Sequence, residues 1–180
     1  MKINAEVINI NGREVLFRSP EEADARMLLD YLKTVCGETR YLVKEPEEVA
    51  FTLEQEKEFI NRNNQSDSDL ILLGFLNGQH VGNCSLMGMP GSRYRHRVSL
   101  GIALYQKYTG LGIGRAMIEK ILTTAKEKGF EQVELEVMAD NEKAIALYKS
   151  FGFQIYGTLP DNMKYKDGTY GDAYWMMKKL

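Results

Sequence analysis

The sequence predicts one domain of mixed α/β class, and three observations lead to that prediction. Val98–Leu104 alternates apolar and small residues like a strand, then passes through closely spaced glycines into a stretch with helical periodicity. Two apolar runs flank Asn77-Gly78, a dipeptide typical of β-hairpin turns. The 180 residues, 44% hydrophobic and 27% charged, are enough for one sizeable core, and no repeat or low-complexity linker divides residues 1–180.

The N-terminal half predicts one strand, two helices and a hairpin, in that order. Ser19 followed by Pro20 is typical of a helix start, so the first helix is expected directly after the first strand. Its predicted buried face consists of Ala23, Met27, Leu28 and Leu32. The other predicted elements are a first strand at Glu14–Arg18, a second helix from about Thr52 to Asn63, and hairpin strands at Leu70–Leu76 and His80–Met87.

The C-terminal half predicts a strand, a helix, a strand and a helix, followed by two antiparallel strands. The first helix follows the glycines and ends at Gly129, because glycine commonly terminates helices. The second helix is expected to begin at Asp140 or Asn141, which are good N-caps. The remaining strands are predicted at Val98–Leu104, Gln132–Met138, Phe153–Leu159 and Tyr170–Lys179.

Three glycines, Gly110, Gly112 and Gly114, stand at alternate positions between the strand and the helix. The first N–H groups of a helix lack intrahelical partners and carry the positive end of its dipole, so a phosphate is the natural ligand. A triphosphate-binding loop needs Lys followed by Ser or Thr where this chain has Arg115-Ala116, and the dinucleotide motif needs a different glycine spacing. The stretch alone therefore predicts either another diphosphate site or a tight turn without a ligand.

Composition narrows the class of protein. A net charge of −2 argues against general affinity for nucleic acid. No apolar run is long enough to span a membrane, and the polar start is unlike a signal peptide, so a cytoplasmic location is expected. Cys36 and Cys84 have no partner spacing, which fits a reducing compartment. His80 and His96 are too few and too scattered to predict a metal site, and both are expected in loops or at strand ends.

Two motifs together resemble the acetyl-CoA-binding core of the GNAT superfamily of N-acetyltransferases. They are T-G-L-G-I-G at 109–114 and N-E-K-A-I-A-L-Y-K-S-F-G-F at 141–153, and the resemblance covers residues 96–158. It implies a mostly antiparallel central sheet with a splayed parallel pair and helices on both faces. It also implies acetyl-CoA as co-substrate, bound in the gap between the splayed strands, with no metal.

The resemblance implies two sets of cofactor-binding residues. The backbone of Ile102, Ala103 and Leu104 would pair with the pantetheine arm, and Asn141 would hydrogen-bond the same arm while also capping its helix. The pyrophosphate would lie on the amides of Thr109, Gly110, Leu111, Gly112, Ile113, Gly114 and Arg115. Thr109 departs from the family, which usually has Arg or Gln there, and Arg115 and Lys107 are the candidates to replace that contact.

Two catalytic residues are expected by the same resemblance. Tyr148 matches the tyrosine that protonates the departing thiolate, although a tyrosine on an apolar helix face also fits core packing. Glu134 and Glu136 alternate with apolar residues, which indicates a strand facing an open, polar cleft. Glu136 matches a glutamate of the ribosomal-protein alanine acetyltransferases that is taken as the proton acceptor, and a solvated glutamate is the alternative. Ser99 occupies the position of a second family carboxylate.

The sequence thus predicts an acyltransferase that moves an acetyl group from acetyl-CoA to a primary amine by direct attack in a ternary complex. The alternative is an acyl-CoA-binding sensor without turnover. The acceptor is a small-molecule or peptide amine, and nucleic acid or membrane partners are not expected. Acidic residues between Glu38 and Glu58 would suit a cationic acceptor, or they form a solvated surface. A homodimer through the last strands is compatible with the family, but no residue requires it.

Overall fold

The computed structural model describes residues 1–180. Short 3₁₀ turns lie at Glu22–Asp24, Pro46–Glu48, Ser92–Tyr94 and Gln106–Tyr108. The strands and helices, in chain order, are β1 (Glu6–Ile10), β2 (Arg13–Arg18), α1 (Ala25–Glu38), α2 (Leu53–Gln65), β3 (Leu70–Leu76), β4 (Gln79–Gly88), β5 (Arg97–Leu104), α3 (Ile113–Glu127), β6 (Gln132–Met138), α4 (Glu142–Ser150), β7 (Gln154–Lys164) and β8 (Tyr170–Lys179).

All eight strands belong to one sheet, in the spatial order β1-β2-β3-β4-β5-β6-β8-β7. Every neighbouring pair is antiparallel except β5 and β6, which run parallel. This parallel pair is short, because only Arg97–Ser99 pair with Gln132–Glu134. Beyond these residues β5 pairs with β4 alone and β6 with β8 alone, so the two strands separate toward their carboxyl ends. The mixed α/β class and the mostly antiparallel sheet are confirmed.

Strand β3 shows how helices come to cover both faces of the sheet. Six of its seven residues are buried, as expected for a strand with apolar layers on each side. Leu70 and Leu72 belong to a large cluster that also contains the apolar residues of α3 and α4. Ile71 and Leu73 belong to a smaller cluster with residues of α1 and α2. Since successive side chains of a strand point to opposite faces, the two helix pairs lie on opposite sides.

The N-terminal region differs from its prediction in three respects. Strand β1 was not predicted, and it forms a hairpin with β2 through Asn11-Gly12, both with positive φ as this tight turn requires. Ser19 is not a helix cap, because its hydroxyl accepts a hydrogen bond from the amide of Ile3. The α-helix begins only at Ala25, which shifts its buried face and leaves Ala23 exposed. Strand β7 also extends to Lys164, past a bulge, beyond its predicted end at Leu159.

Glu134 of β6 is a buried carboxylate that bonds to Arg97 of β5, at the end where the two strands are paired. Its side chain is fully inaccessible, and its carboxylate accepts two hydrogen bonds from the Arg97 guanidinium and one from the Tyr156 hydroxyl. Burial alone would raise the pKa of Glu134, but the hydrogen bonds from Arg97 and Gln132 hold it below the usual range. The expectation that Glu134 faces an open cleft is therefore wrong.

We expect Glu134→Ala to lower the free energy of unfolding by roughly 2–3 kcal/mol at pH 7, because it removes charge-assisted hydrogen bonds and leaves Arg97 without its partner. A depressed folded-state pKa means that the contribution is present above the unfolded value of about 4.3 and is lost as the pH falls through the folded value. The difference between variant and wild type should thus shrink in acid. Urea denaturation at neutral and acidic pH tests this, with exposed Glu131→Ala as the control.

Candidate active site

The separation of β5 from β6 opens a cleft of about 1110 Å³ in the sheet. Its walls come from the end of α1 and the segment that follows, the carboxyl ends of β5 and β6, the glycine-rich loop, α4 and β7. Ligands of sheets with parallel strands bind at strand carboxyl ends, and this cleft lies at that position. The cleft therefore occupies the gap in which the sequence motifs predicted a ligand.

The backbone of β5 turns hydrogen-bonding groups toward this cleft. The amide of Tyr105 donates to the carbonyl of Val81, which shows that the odd-numbered residues of β5, Ala103 included, bond toward β4. The amide and carbonyl groups of Ile102 and Leu104 therefore point to the opposite side. Pairing with β6 has already ended there, so these groups border the cleft without a neighbouring strand.

Six consecutive amides at the start of α3 have no partner within the protein. From Gly110 to Arg115, no backbone N–H donates to another group of the chain, and the first helical bond of this region is that of Ala116 to Gly112. Gly110, Gly112, Gly114 and Arg115 all line the cleft. Unpaired N–H groups at a helix N-terminus, together with the helix dipole, form an anion-binding site.

The glycines allow the loop to adopt this shape. Gly110 and Gly112 have φ of +76° and +87°, in the left-handed region that other residues rarely adopt. Behind Gly112, a Cβ would lie 3.1 Å from Nδ2 of Asn11 and 3.2 Å from a methyl group of Ile10. The tip of the β1–β2 hairpin thus supports the loop from the side away from the cleft.

Tyr148 lies on α4 and lines the cleft, although only 7% of its surface is exposed. Its ring packs edge-on against Phe153, with centroids 5.9 Å apart. Burial raises the pKa of its hydroxyl, so the group stays protonated at neutral pH. The ring belongs to the core and the side chain borders the cleft, so core packing and a role in the cleft are geometrically compatible.

Asn141 caps α4 and lines the cleft. Its side-chain oxygen accepts a hydrogen bond of 3.3 Å from the amide of Ala144. The cap uses only the oxygen, so the side-chain N–H groups are available to a ligand. The capping and binding roles are geometrically compatible.

Glu136 differs sharply from Glu134, although the two share one face of β6. Glu136 is exposed, lines the cleft and accepts a hydrogen bond of 2.7 Å from the side-chain amide of Asn162. No cation is paired with it. Among the two carboxylates of this strand, Glu136 alone is placed to receive a proton from a molecule in the cleft.

Comparison with known proteins agrees with this geometry. The family model described as the acetyltransferase (GNAT) family matches residues 27–153. The chain belongs to the GNAT family. A solved GNAT acetyltransferase from Streptococcus pneumoniae shares 30% of its residues with it, with a TM-score of 0.89, over 93% of this chain and 100% of that one. Ribosomal-protein-alanine N-acetyltransferase from Brucella melitensis gives 28% identity and a TM-score of 0.80, over 91% and 99%.

Two further relatives extend the comparison. Phosphinothricin acetyltransferase from Sinorhizobium meliloti, solved in complex with acetyl-CoA, shares the fold with a TM-score of 0.80 at 18% identity, over 92% of this chain and 88% of that one. L-amino acid N-acetyltransferase AaaT from Escherichia coli is 29% identical over 110 residues, which are 59% of this chain and 66% of that protein. The match thus spans less than two thirds of this curated relative. No helix of the GNAT chain has the length and apolar composition of a membrane span.

The remaining residues expected to bind the cofactor of a GNAT protein take different places. Ile113 is fully buried and Leu111 packs against the core, so each offers only its amide. Thr109 lines the cleft, but its amide and hydroxyl both bond to the carbonyl of Gln106. Arg115 lines the cleft and donates to the hydroxyl of Ser150, 2.9 Å away. Lys107 does not line the cleft; its ammonium lies over the ring of Tyr108.

Tyr31 of α1 is a buried residue that the sequence did not single out. Its hydroxyl donates to the carbonyl of Ala103, 2.6 Å away, and accepts a bond of 3.3 Å from the amide of Asn83, bridging β5 and β4. The rings of His80 and Tyr105 pack edge-on against it. This contact fixes the position of β5 beside the cleft. The apolar periodicity of α1 is the only sequence signal that could have indicated the burial of Tyr31.

Glu38, seven residues further along α1, makes a second contact to the same region. Its carboxylate accepts a bond of 2.7 Å from the amide of Gln106, in the turn that leads to the glycine-rich loop. Tyr31 and Glu38 lie on one face of α1. They therefore bond to backbone groups that precede and follow Leu104 in the chain. The segment after α1 continues along the cleft wall, so the end of α1 and this segment both line the cleft.

We expect Gly112→Ala to weaken acetyl-CoA binding about tenfold, because a side chain at φ +87° costs about 1–2 kcal/mol and the loop must shift to relieve it. Gly129→Ala is the matched control: Gly129 has φ +83° at the end of α3, away from the cleft, and a Cβ there meets nothing within 4 Å. Both variants should lose stability in thermal unfolding, and Gly112→Ala should lose more because its Cβ also approaches Asn11 and Ile10 closely. Calorimetric titration should show weakened binding only for Gly112→Ala, and equal affinities would contradict the loop assignment.

Proposed function

We propose that this GNAT protein is an acetyl-CoA-dependent N-acetyltransferase that acetylates a primary amine by direct attack in a ternary complex. The observation that carries the proposal is the run of six unpaired amides from Gly110 to Arg115, four of whose residues line the cleft. Such a run at a helix N-terminus fits a diphosphate, which coenzyme A contains. The solved relative with acetyl-CoA bound supports the same co-substrate.

Different residues of the cleft match the pyrophosphate and the pantetheine arm of this co-substrate. The six amides would hold the pyrophosphate, and the free backbone groups of Ile102 and Leu104 would hydrogen-bond the pantetheine arm as a further strand would. Asn141 would donate its side-chain N–H groups to the same arm. Bound there, acetyl-CoA supplies an activated thioester to the amine.

Tyr148 is the proposed proton donor to the thiolate. Its raised pKa keeps the hydroxyl protonated until it is needed, and its ring is held by the core, which fixes the direction of the hydroxyl. A thiolate with a conjugate pKa of about 8.5 is already a fair leaving group, so this proton gives a modest acceleration. Neither cysteine lies near the glycine-rich loop in sequence, and Cys84 is fully buried, so no acetyl-cysteine intermediate is proposed.

Glu136 is the proposed base, acting on the amine directly or through water. An α-amine with a pKa of about 8 costs little more than about 1 kcal/mol to deprotonate at pH 7, whereas a lysine-like amine with a pKa of about 10.4 costs between about 4 and 5 kcal/mol. An exposed carboxylate at the cleft is sufficient for the first kind of amine. Asn162 would orient it through their hydrogen bond.

Calorimetric titration with acetyl-CoA and an acceptor screen with thiol release as readout test the function together. We expect binding and thiol release that depends on the amine. Tight binding without release on any amine would favour the acyl-CoA sensor instead. Absence of binding would contradict both functions, because both require the diphosphate site.

For Tyr148→Phe we expect kcat to fall about tenfold to a hundredfold, because the proton must then come from water, while acetyl-CoA affinity stays the same. Steady-state kinetics and calorimetry measure the two quantities. Tyr174→Phe is the control, since Tyr174 also packs against the core but does not line the cleft. An unchanged kcat with unchanged affinity would refute the assignment.

For Glu136→Gln we expect kcat/KM to fall about a hundredfold at pH 7, because the amine loses its proton acceptor. The defect should shrink near pH 9.5, where an α-amine is already neutral. The pH profile of kcat/KM measures both effects. Glu131→Gln, an exposed glutamate just before the same strand, should leave the profile unchanged. A defect of equal size at every pH would exclude Glu136 as the base.

A further inference from the structure

We infer, on the basis of the proposed function, that the acceptor is a primary amine with no carboxylate beside it and with an apolar neighbour. Free amino acids are accordingly poor acceptors. The amino terminus of a polypeptide and a simple alkylamine share the required chemistry. The Escherichia coli relative is named an L-amino acid N-acetyltransferase, so this chain would differ from that relative in its acceptor.

One part of the cleft lining carries this inference. We call it the acceptor wall, and it consists of the cleft residues contributed by α1, the segment after α1, β6 and β7. Its side chains are apolar, hydroxyl-bearing or carboxylate, and none is cationic. The residues are Val35, Glu38, Thr39, Tyr41, Leu42, Val43, Glu136, Val137, Met138 and Met163.

The only cations that line the cleft are Arg115 and Lys143, which lie outside the acceptor wall. Arg115 is in the first turn of α3 beside the unpaired amides, and Lys143 is in the first turn of α4, two residues after Asn141. Arg115 therefore stands where the diphosphate would lie, and Lys143 stands next to the proposed position of the pantetheine arm. Neither is part of the acceptor wall.

Of the cations next to the acceptor wall, Lys44 and Lys164 do not line the cleft and lie over the rings of Phe51 and Tyr170, and the other two have anionic partners. Arg40 forms an ion pair with Asp140, and its guanidinium lies over the ring of Tyr165. Lys166 pairs with two glutamates, Glu45 at 3.1 Å and Glu47 at 3.4 Å. A carboxylate entering beside the amine would have to displace one of these partners or remain without a counter-charge.

The charges of the acceptor wall distinguish the two kinds of acceptor. Glu38 and Glu136 attract an ammonium group and repel a carboxylate, and a carboxylate withdrawn from water without a partner is strongly disfavoured. An amide or an alkyl group at the same position carries no such penalty. We therefore expect discrimination of at least tenfold against the free acid.

The apolar part of the acceptor wall indicates what lies beside the amine. Leu42 and Met163 offer half-buried apolar surface inside the cleft. Val43 is 82% exposed although it lines the same cleft, so an acceptor that continues outward would cover it. The apolar surface of these three residues favours an acceptor with an apolar first residue over a small polar amine.

The test compares L-alanine, L-alaninamide, an alanine-initiated tripeptide amide and n-butylamine as acceptors. Thiol release gives kcat/KM, expressed per deprotonated amine so that differences in amine pKa are removed. We expect L-alaninamide to exceed L-alanine at least tenfold. A further gain with the tripeptide amide identifies a polypeptide as the source of the amine, and equal or better use of n-butylamine identifies a simple amine. Equal or better use of L-alanine would overturn the inference.

A variant that supplies the missing cation tests the cause. Met163→Arg places a guanidinium on the acceptor wall, so the preference for L-alaninamide over L-alanine should fall about tenfold, whereas Met163→Leu should keep it. An unchanged ratio in Met163→Arg would overturn the electrostatic explanation. Thiol release from no acceptor would instead contradict the proposed function. Calorimetric binding of the acid and the amide to the CoA-saturated protein would then still decide the preference.

Discussion

The short pairing between β5 and β6 is the constraint on which the candidate site depends. Three residues of each strand form the parallel ladder, and the buried Arg97–Glu134 ion pair joins the strands at that end. If the ladder continued, the groups of Ile102 and Leu104 would be occupied and the cleft would close. At its other end, β5 is bonded to α1 by Tyr31. The strand is thus held at both ends, by Glu134 through Arg97 and by Tyr31.

The same arrangement places an anion site at the mouth of the gap. Strand β5 leads directly into the glycine-rich loop, so the backbone groups of Ile102 and Leu104 and the amides from Gly110 to Arg115 follow one another along one path. Gly110 and Gly112 give the loop its positive φ angles. The tip of the β1–β2 hairpin packs against the loop at Gly112. A long molecule with a diphosphate at one position and an amide-rich arm further along matches this order of donors.

Local patterns predicted most of the fold, because alternation, turn dipeptides and glycine positions act over short distances. The strand Gln132–Met138 and the hairpin at Asn77-Gly78 have these properties, and both agree with the structure. Strand β1 has the same turn signal in Asn11-Gly12, yet its alternation is only five residues long. Ser19 failed as a predicted cap because a distant amide, that of Ile3, competes for its hydroxyl.

The candidate site was predictable where it uses backbone and less so where it uses side chains. The amides need only glycines before a helix, which the sequence displays. Glu134 and Glu136 are chemically identical and lie two residues apart on one strand, so local sequence cannot distinguish them. Arg97, 37 residues away, makes one of them structural, and Asn162 accompanies the other at the cleft. Tyr31 likewise acts across 72 residues.

The acceptor wall and the rest of the cleft lining differ in electrostatic character, and in the proposed function each part meets a different ligand. The wall of α3 and α4 presents amides, the positive end of a helix dipole, Arg115 and Lys143, which attract phosphates. The acceptor wall presents Glu38 and Glu136, whose charges attract an ammonium group, and Glu136 is the proposed acceptor of its proton. In the proposed function, the charges of each part favour one ligand and disfavour the other, so both ligands would be oriented before a catalytic group acts. Tyr148 would act last, because its proton is needed only after the amine has attacked.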